Sequence, residues 1–145
     1  MKLEAPHKTV IHTIEKAIKE YRKFGHKNIK KVVDDITIDQ GLVLIILDQN
    51  SDISQKEIAE LIFKDYASMT RIIDLMVKKG YLKRAINTID RRRFKLSISA
   101  KGKQTIKKIV PVIKQNRSTA LNGLTQKEIT QLYNSLNKVI ANCNA

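Results

Sequence analysis

Cysteine, aromatic residues, long apolar runs and acidic residues are all scarce in this 145-residue sequence, and each scarcity excludes a class of protein. The single cysteine, Cys143, rules out an intrachain disulfide and predicts a reducing cytoplasm as the compartment. The longest apolar run covers residues 42–47, whereas a membrane span needs roughly 20 residues, and residues 1–6 contain no apolar signal segment. The sequence therefore predicts a cytoplasmic protein with no membrane partner.

Catalytic and metal-binding motifs are also missing. There is no glycine-rich phosphate loop, no paired-histidine motif and no nucleophile elbow, so we expect neither an enzyme nor a bound cofactor. His7, His12 and His26 have no histidine or cysteine partner at metal-ligand spacing, which argues against a metal site. Aromatic residues make up 5% of the chain, too few for the stacking platform that is typical of RNA-binding modules.

Acidic residues are half as numerous as basic ones: 14 Asp and Glu against 28 Lys and Arg give a net charge of +14. The excess is concentrated in residues 83–117, which contain twelve basic residues and one acid, Asp90. Such a segment attracts a polyanion through counterion release. A solvated face that only keeps the protein soluble is the alternative interpretation. Because this charge lies on a predicted hairpin and the helix after it, we favour nucleic acid as the partner.

The length is that of one domain, residues 1–145, and the spacing of apolar residues divides it into helices. Helical spacing extends over residues 10–24 and stops at Gly25, a typical terminating residue. A second helix begins near Asp39 and contains residues 42–47, which should be buried because they leave no polar face. The last helix follows a capping box formed by Thr125 and Glu128.

Two short helices occupy the middle of the chain. Ser54 and Glu57 form a capping box, in which the hydroxyl and the carboxylate each accept a backbone N–H. Asp65 is the predicted N-cap of the next helix, which Gly80 ends. After Gly80 the apolar period changes from 3.6 to 2, which predicts two strands that flank a hairpin tip at residues 87–93.

This order of elements is typical of a winged helix-turn-helix, in which a helix enters the DNA major groove and a basic hairpin reaches the backbone or minor groove. The predicted fold class is therefore mainly α with a small β-hairpin wing (α+β). The lobe covers residues 36–100, with the helix-turn-helix at about 54–79 and the wing at about 81–99. Double-stranded DNA is the predicted partner.

Residues 67–79 separate into two faces on a helical wheel. One face should pack on the core through Met69, Ile72, Ile73, Met76 and Val77. The residues predicted to contact DNA are Ala67, Ser68, Thr70, Arg71 and Lys78, with Gln55 and Lys56 at the start of the preceding helix. Arg71 has a planar fork that can grip a guanine edge. For Ser68 and Thr70, ordinary solvated helix polarity is an equal alternative.

The predicted wing tip carries Arg91, Arg92 and Arg93, three like charges that repel one another unless a phosphate backbone or a narrow minor groove receives them. Asp90 should support the wing, either by capping the turn or by a salt bridge to Arg92. Direct DNA contact by Asp90 is disfavoured because phosphate repels a carboxylate. These arginines complete the set of predicted DNA contacts.

The chain resembles the MarR family (multiple antibiotic resistance regulators). The resemblance rests on residues 53–60 (ISQKEIAE), 69–74 (MTRIID), 79–84 (KGYLKR), 90–92 (DRR), 96–99 (LSIS), 101–102 (KG) and 121–128 (LNGLTQKE). It covers about residues 36–140, and the helix at 10–24 suits the first dimerisation helix of the family. Two turn residues depart from it, because Phe63 and Lys64 stand where the family often has a glycine and an apolar residue.

The resemblance implies a cytoplasmic prokaryotic transcription regulator, a homodimer whose two lobes bind a pseudo-palindromic operator. The dimerisation helices would be residues 5–30 and 101–142. Many members respond to small phenolic or other aromatic ligands that bind between the dimer helices and the DNA lobe. Nothing resembles the N-terminal sensing cysteine of the redox branch, so Cys143 is expected to be an exposed bystander.

Repression is expected rather than activation, because a dimer on promoter DNA can simply block polymerase. The alternative function is a non-specific nucleoid-associated or architectural DNA-binding protein, which a large positive charge would also support. An ordered, groove-facing helix with Ser68, Thr70 and Arg71 discriminates the two, because a purely architectural binder does not need that surface.

Overall fold

The computed structural model describes residues 2–86 and 94–145, and in these ranges the chain is mainly helical with one two-stranded antiparallel sheet. This confirms the predicted fold class. No helix in the described ranges combines the length and the apolar character that a bilayer crossing needs. A 3-10 turn at Pro6–Lys8 precedes the elements α1 Val10–Lys30, α2 Ile38–Gln49, α3 Gln55–Leu61, α4 Tyr66–Lys78, β1 Leu82–Ile86, β2 Phe94–Ile98, α5 Ala100–Ala120 and α6 Gln126–Cys143.

The prediction that the first helix stops at Gly25 is wrong, because α1 continues to Lys30. Gly25 is buried within α1, where it faces Asn116 of α5 and Ile38 of α2. Nearby, Asn28 Nδ2 donates to Asn116 Oδ1 at 2.8 Å, and Ile29 belongs to the core. Glycine costs about 1 kcal/mol relative to alanine inside a helix, and packing against α5 outweighs that cost here.

Side chains cap the helices of the lobe largely as the sequence predicts. Asp65 Oδ1 accepts from the Ser68 N–H at 2.7 Å, which confirms Asp65 as the N-cap of α4. Ser54 Oγ accepts from the Glu57 N–H at 3.1 Å, but the Glu57 carboxylate accepts from the Ser54 hydroxyl at 3.0 Å rather than from the backbone. The capping box at Ser54 therefore has one of its two predicted arms.

The core is centred on α2, whose residues Val43 and Leu44 are fully buried. Leu47 is also buried, and Leu42, Ile45 and Ile46 are half-buried against the core, so the predicted burial of residues 42–47 is complete for three of them and partial for the other three. The helices α4 and α5 and the segment between α4 and β1 surround it with buried side chains, namely Met69, Ile73, Met76, Tyr81, Leu82, Ile106 and Ile109. This packing fixes the face that α4 presents to solvent.

The first strand of the hairpin, β1, follows α4, and the second strand, β2, leads into α5. In its antiparallel register Leu82 pairs with Ile98 and Arg84 pairs with Leu96. The side chains of Leu82 and Ile98 belong to the core or pack against it, whereas Lys83 and Lys95 are exposed. The alternating pattern of the two strands is thus confirmed.

Phe63, in the turn between α3 and α4, has a φ of 61° in the left-handed region, where glycine is favoured, and its side chain is 92% exposed. Because the ring has so little contact to lose, we expect Phe63→Gly to raise the free energy of unfolding by up to about 1 kcal/mol. Thermal and urea unfolding would measure this. Phe63→Ala is the control, because it removes the ring but keeps the Cβ atom, and equal stabilisation by both variants would contradict the backbone explanation.

Gly102, in the first turn of α5, sits where the helix meets the segment between α4 and β1. A Cβ atom there would collide with the Tyr81 carbonyl oxygen and lie 2.7 Å from Ile98 Cγ2. We expect Gly102→Ala to lower the free energy of unfolding by about 1–3 kcal/mol, the usual cost of overpacking. Gly41→Ala is the matched control in urea unfolding, because its Cβ would meet only Ile109 Cδ1, at 3.4 Å. Equal losses in both variants would refute this account.

Candidate nucleic-acid interface

The helix α4 has one buried face and one exposed face, as its periodicity predicts. Met69, Ile73 and Met76 are fully buried, and Ile72 and Val77 pack against the same core. The opposite face presents exposed side chains, namely Ala67, Arg71, Asp74 and Lys78. The division of α4 into a packing face and a solvent face is therefore confirmed, while contact of the solvent face with DNA stays a prediction.

Arg71 is the exposed cation nearest the start of α4, and its guanidinium forms no ion pair with the described residues. Ser68 is half-buried in the first turn, where its N–H donates to Asp65. This hydrogen bond is the main reason why the pKa of the Asp65 carboxyl lies below its ordinary value. A charged cap therefore holds the start of α4, and the Arg71 fork is available to an external hydrogen-bond acceptor.

Two of the predicted contact residues lie against each other. Gln55 Nε2, at the start of α3, donates to Thr70 Oγ1 at 2.9 Å, and the Thr70 hydroxyl donates to the Tyr66 carbonyl oxygen at 3.0 Å. The pair joins the N-terminal turns of α3 and α4 on one side of the lobe. The sequence predicts Gln55 and Thr70 as separate DNA contacts, but the hydrogen bond between their side chains couples them. Lys56, next to Gln55, is exposed.

The strand β1 is joined to α4 by an ion pair that the sequence pattern did not predict. Arg84 of β1 donates from its guanidinium to Asp74 on the exposed face of α4. No local pattern marks this pair, because its members lie on different elements, ten residues apart. The ion pair links β1 to the exposed face of α4, next to Leu82, which anchors β1 in the core.

A groove of about 880 Å³ runs between the start of α3, α4 and the two strands. Its lining includes Gln55, Lys56 and Thr70, which the sequence predicted, and Tyr66, Arg84 and Lys95, which it did not. The wing predictions Asp90, Arg91, Arg92 and Arg93 lie outside the described residues. Their roles stay predictions.

A second cavity of about 570 Å³ lies between the end of α1, the following loop and the first half of α5. Lys30, Lys101 and Lys108 line it, together with Tyr81 and Asp35. The Tyr81 hydroxyl donates to the Asp35 carboxylate and keeps the pKa of Asp35 below its ordinary value, whereas burial raises the pKa of Tyr81. The Lys101 ammonium lies 4.5 Å from the Tyr81 ring centroid. The Tyr81 ring itself is buried, with only 1% of the residue exposed, so the surface of the cavity is formed mainly by its lysines together with Asp34 and Asp35.

Residues 36–94 match the model of the MarR family. The chain is 32% identical over 87 residues to the uncharacterized HTH-type transcriptional regulator YwaE of Bacillus subtilis. The aligned residues are 60% of this chain but only about half (51%) of that protein. The chain is also 26% identical over 133 residues to the HTH-type transcriptional regulator SarZ of Staphylococcus haemolyticus. This alignment covers 90% of this chain and 83% of that protein.

Solved structures share the fold over nearly the whole chain. The transcriptional regulator SlyA superposes with a TM-score of 0.81 at 25% identity and covers 92% of this chain and 93% of its own. The S. aureus MepR–DNA complex has a TM-score of 0.82 at 17% identity, with coverages of 93% and 96%. Bordetella bronchiseptica BpsR, whose DNA binding is regulated by 6-hydroxynicotinic acid, has a TM-score of 0.80 at 18% identity, with coverages of 95% and 97%. The last two likenesses show the fold alone.

Proposed function

Since this chain belongs to the MarR family of DNA-binding transcriptional regulators, we propose that it is a repressor that binds a pseudo-palindromic operator as a homodimer. The observation that carries the proposal is the exposed face of α4, where Arg71 stands opposite a fully buried row of core residues. A helix anchored in this way can present its first turns rigidly to base edges. Repression follows if the bound dimer occupies promoter DNA and excludes polymerase, in a prokaryotic cytoplasm.

Double-stranded DNA as the partner is supported by charge as well as by fold. The structural neighbour MepR was solved with DNA. In this chain Arg71 and Lys78 are exposed on α4, and the net charge of +14 favours a polyanion, whereas the lining of the groove beside α4 is balanced between three cations and the three acids Asp52, Glu57 and Glu60. We assign base contacts to Ser68 and Arg71 and backbone contacts to Gln55, Lys56 and Lys78. Thr70 holds Gln55 in place for its contact, and Ala67 adds an apolar surface for a thymine methyl group.

The homodimer is supported by apolar side chains that the single chain leaves in water. Within α6, all of which is described, no residue is buried, and Tyr133 and Ile140 remain 69% and 57% exposed. On α1, Val10 and Ile18 are 75% and 56% exposed. Exposed apolar side chains that recur along a helix in this way mark an interaction site. A second copy would cover the helices at residues 5–30 and 101–142 and place two lobes on one side of a duplex.

A small aromatic anion that relieves repression is the proposed effector. The cavity beside Tyr81 is lined by four lysines, Lys30, Lys31, Lys101 and Lys108, and by two acids, Asp34 and Asp35, and this excess of positive charge suits an anion. An aromatic acid regulates DNA binding by the structural neighbour BpsR. Because the cavity lies between α1, α5 and the lobe, a ligand there could shift the lobes relative to the dimer helices.

Footprinting on the DNA that flanks its own gene tests the proposal, with and without aromatic acids. A protected, twofold-related site that is bound more tightly than a scrambled duplex at physiological salt supports an operator-binding repressor. Equal affinity for both duplexes would instead favour an architectural DNA-coating protein, the alternative that the net charge of +14 supports. Release of the operator by an aromatic acid would support the effector.

A further inference from the structure

The carboxylate of Asp39 holds two cations from different parts of the fold. Asp39 lies in the first turn of α2, and its side chain is only 18% exposed. Arg22 of α1 donates from Nη2 to Asp39 Oδ1 at 2.7 Å, and Nζ of Lys64 lies 3.1 Å from Asp39 Oδ2. Burial alone would raise the pKa of Asp39, but the two cations outweigh it and lower the pKa, so the carboxylate is charged.

Lys64 connects this cluster to the start of the recognition helix α4. It stands between Phe63, whose backbone is left-handed, and Asp65, the N-cap of α4. The Lys64 N–H donates to the Ala59 carbonyl oxygen at 2.9 Å, so its backbone is fixed to α3 while its ammonium reaches α2. A displacement of Lys64 would therefore also move Asp65, the next residue, which is the N-cap of α4.

Arg22 connects the same carboxylate to α1, the helix that we assign to the dimer. One acid thus links α1, the start of α2 and the turn that precedes α4. An isolated surface ion pair contributes little, but here the loss of the carboxylate would leave Arg22 and Lys64 side by side. Because the two cations would then repel each other, the turn would shift away from α1.

We propose that Asp39 is a positioning residue for DNA recognition. Its carboxylate joins Lys64, in the turn before α4, to Arg22 of α1, and in this way it sets where the exposed face of α4 meets the DNA major groove. This inference rests on the proposed function. It goes beyond that function because Asp39 would affect DNA binding without contacting DNA, through its effect on the position of α4. It also gives a role to Lys64, which departs from the apolar residue that the family often has there.

Asp39→Asn tests the proposal, because it removes the charge at nearly constant shape. The probes are a duplex that the full chain selects from a random pool and a scrambled duplex of the same composition. We expect the preference for the selected duplex to fall roughly 2- to 30-fold. Asp48→Asn is the matched control, since it makes the same change in net charge at the other end of α2, where Asp48 is exposed and forms no ion pair with the described residues.

Three further variants separate positioning from general damage to the fold. Asp39→Glu keeps the charge and should restore the preference. Lys64→Met should lower it by a similar factor, and the double variant Asp39→Asn with Lys64→Met should lose no more than either single variant. Thermal unfolding of each variant shows whether it is folded, and Lys64→Met carries the test if Asp39→Asn does not fold.

The outcomes distinguish this inference from the proposed function. If the wild type prefers the selected duplex and both Asp39→Asn and Lys64→Met keep that preference in full, the inference is overturned but the proposed function is not. Additive losses in the double variant also overturn it, because the two residues would then act separately. A wild type with no preference for any duplex overturns both the inference and the proposed operator binding.

Discussion

Replacement of Arg71 by alanine will reduce the preference for operator over scrambled duplex by about 1–3 kcal/mol, or roughly 5- to 150-fold. The reason is that Arg71 is exposed near the start of α4 and forms no ion pair with the described residues, so its guanidinium can donate two hydrogen bonds to one base edge. Affinity for the scrambled duplex should change little, because most of the basic surface remains. Parallel binding titrations on both duplexes measure the ratio.

Lys78→Ala is the matched control for Arg71→Ala. Lys78 is exposed on the same face of α4, two turns later, and we assign it to the phosphate backbone. Its loss should weaken binding to both duplexes alike and reduce the salt slope by about one. If Arg71→Ala instead lowers both affinities equally, Arg71 contacts phosphate and the assignment of base readout to this residue is wrong.

The second large effect is expected at the proposed dimer interface. The variant with Leu132→Asp and Ile140→Asp puts two charges into the exposed apolar face of α6, where burial of an unpaired carboxylate is strongly unfavourable. We expect a monomer by sedimentation at micromolar concentration. Operator affinity should fall by about 10²- to 10⁴-fold, because two linked lobes bind with avidity and a single lobe does not.

Gln131→Asp with Asn134→Asp is the control pair on the opposite, polar face of α6, where both residues are exposed, and it changes the net charge by the same amount. It adds two carboxylates to the same helix and should leave the dimer intact. Circular dichroism establishes whether each variant is folded. An apolar-face variant that remains dimeric and binds the operator normally would contradict the proposal that α6 forms the interface.

Local features of the sequence were predicted well because they depend on residues within one or two turns. The 3.6-residue period of α4 places Met69, Ile73 and Met76 in line, so it separates core from solvent without reference to any other element. Asp65 caps α4 through an N–H three residues away, and Gly80 follows the end of the helix with a φ of 85°. These predictions needed no knowledge of the tertiary fold.

Predictions failed or were incomplete where distant residues decide. Gly25 is a typical helix-terminating residue, yet α1 continues through it, packed against α5, where Asn28 bonds to Asn116, 88 residues away. The pairing of Gln55 with Thr70 joins two helices across 15 residues, and that of Arg22 with Asp39 joins two others across 17. No local pattern distinguishes these polar residues from solvated ones.

The sequence by itself determined the order of the helices and the two strands, the N-cap of α4, the excess of basic residues and the face of α4 that points outward. Periodicity, capping and charge are properties of neighbouring residues, and they hold wherever the segment is placed. Only the tertiary structure decided how α4 is held. The Arg84–Asp74 pair links β1 to α4, and the Asp39 carboxylate, with Arg22 and Lys64, joins the turn before α4 to α1. Such contacts form only after the core around α2 has brought separate elements together, because ion pairs act over a few ångströms of space and not along the chain.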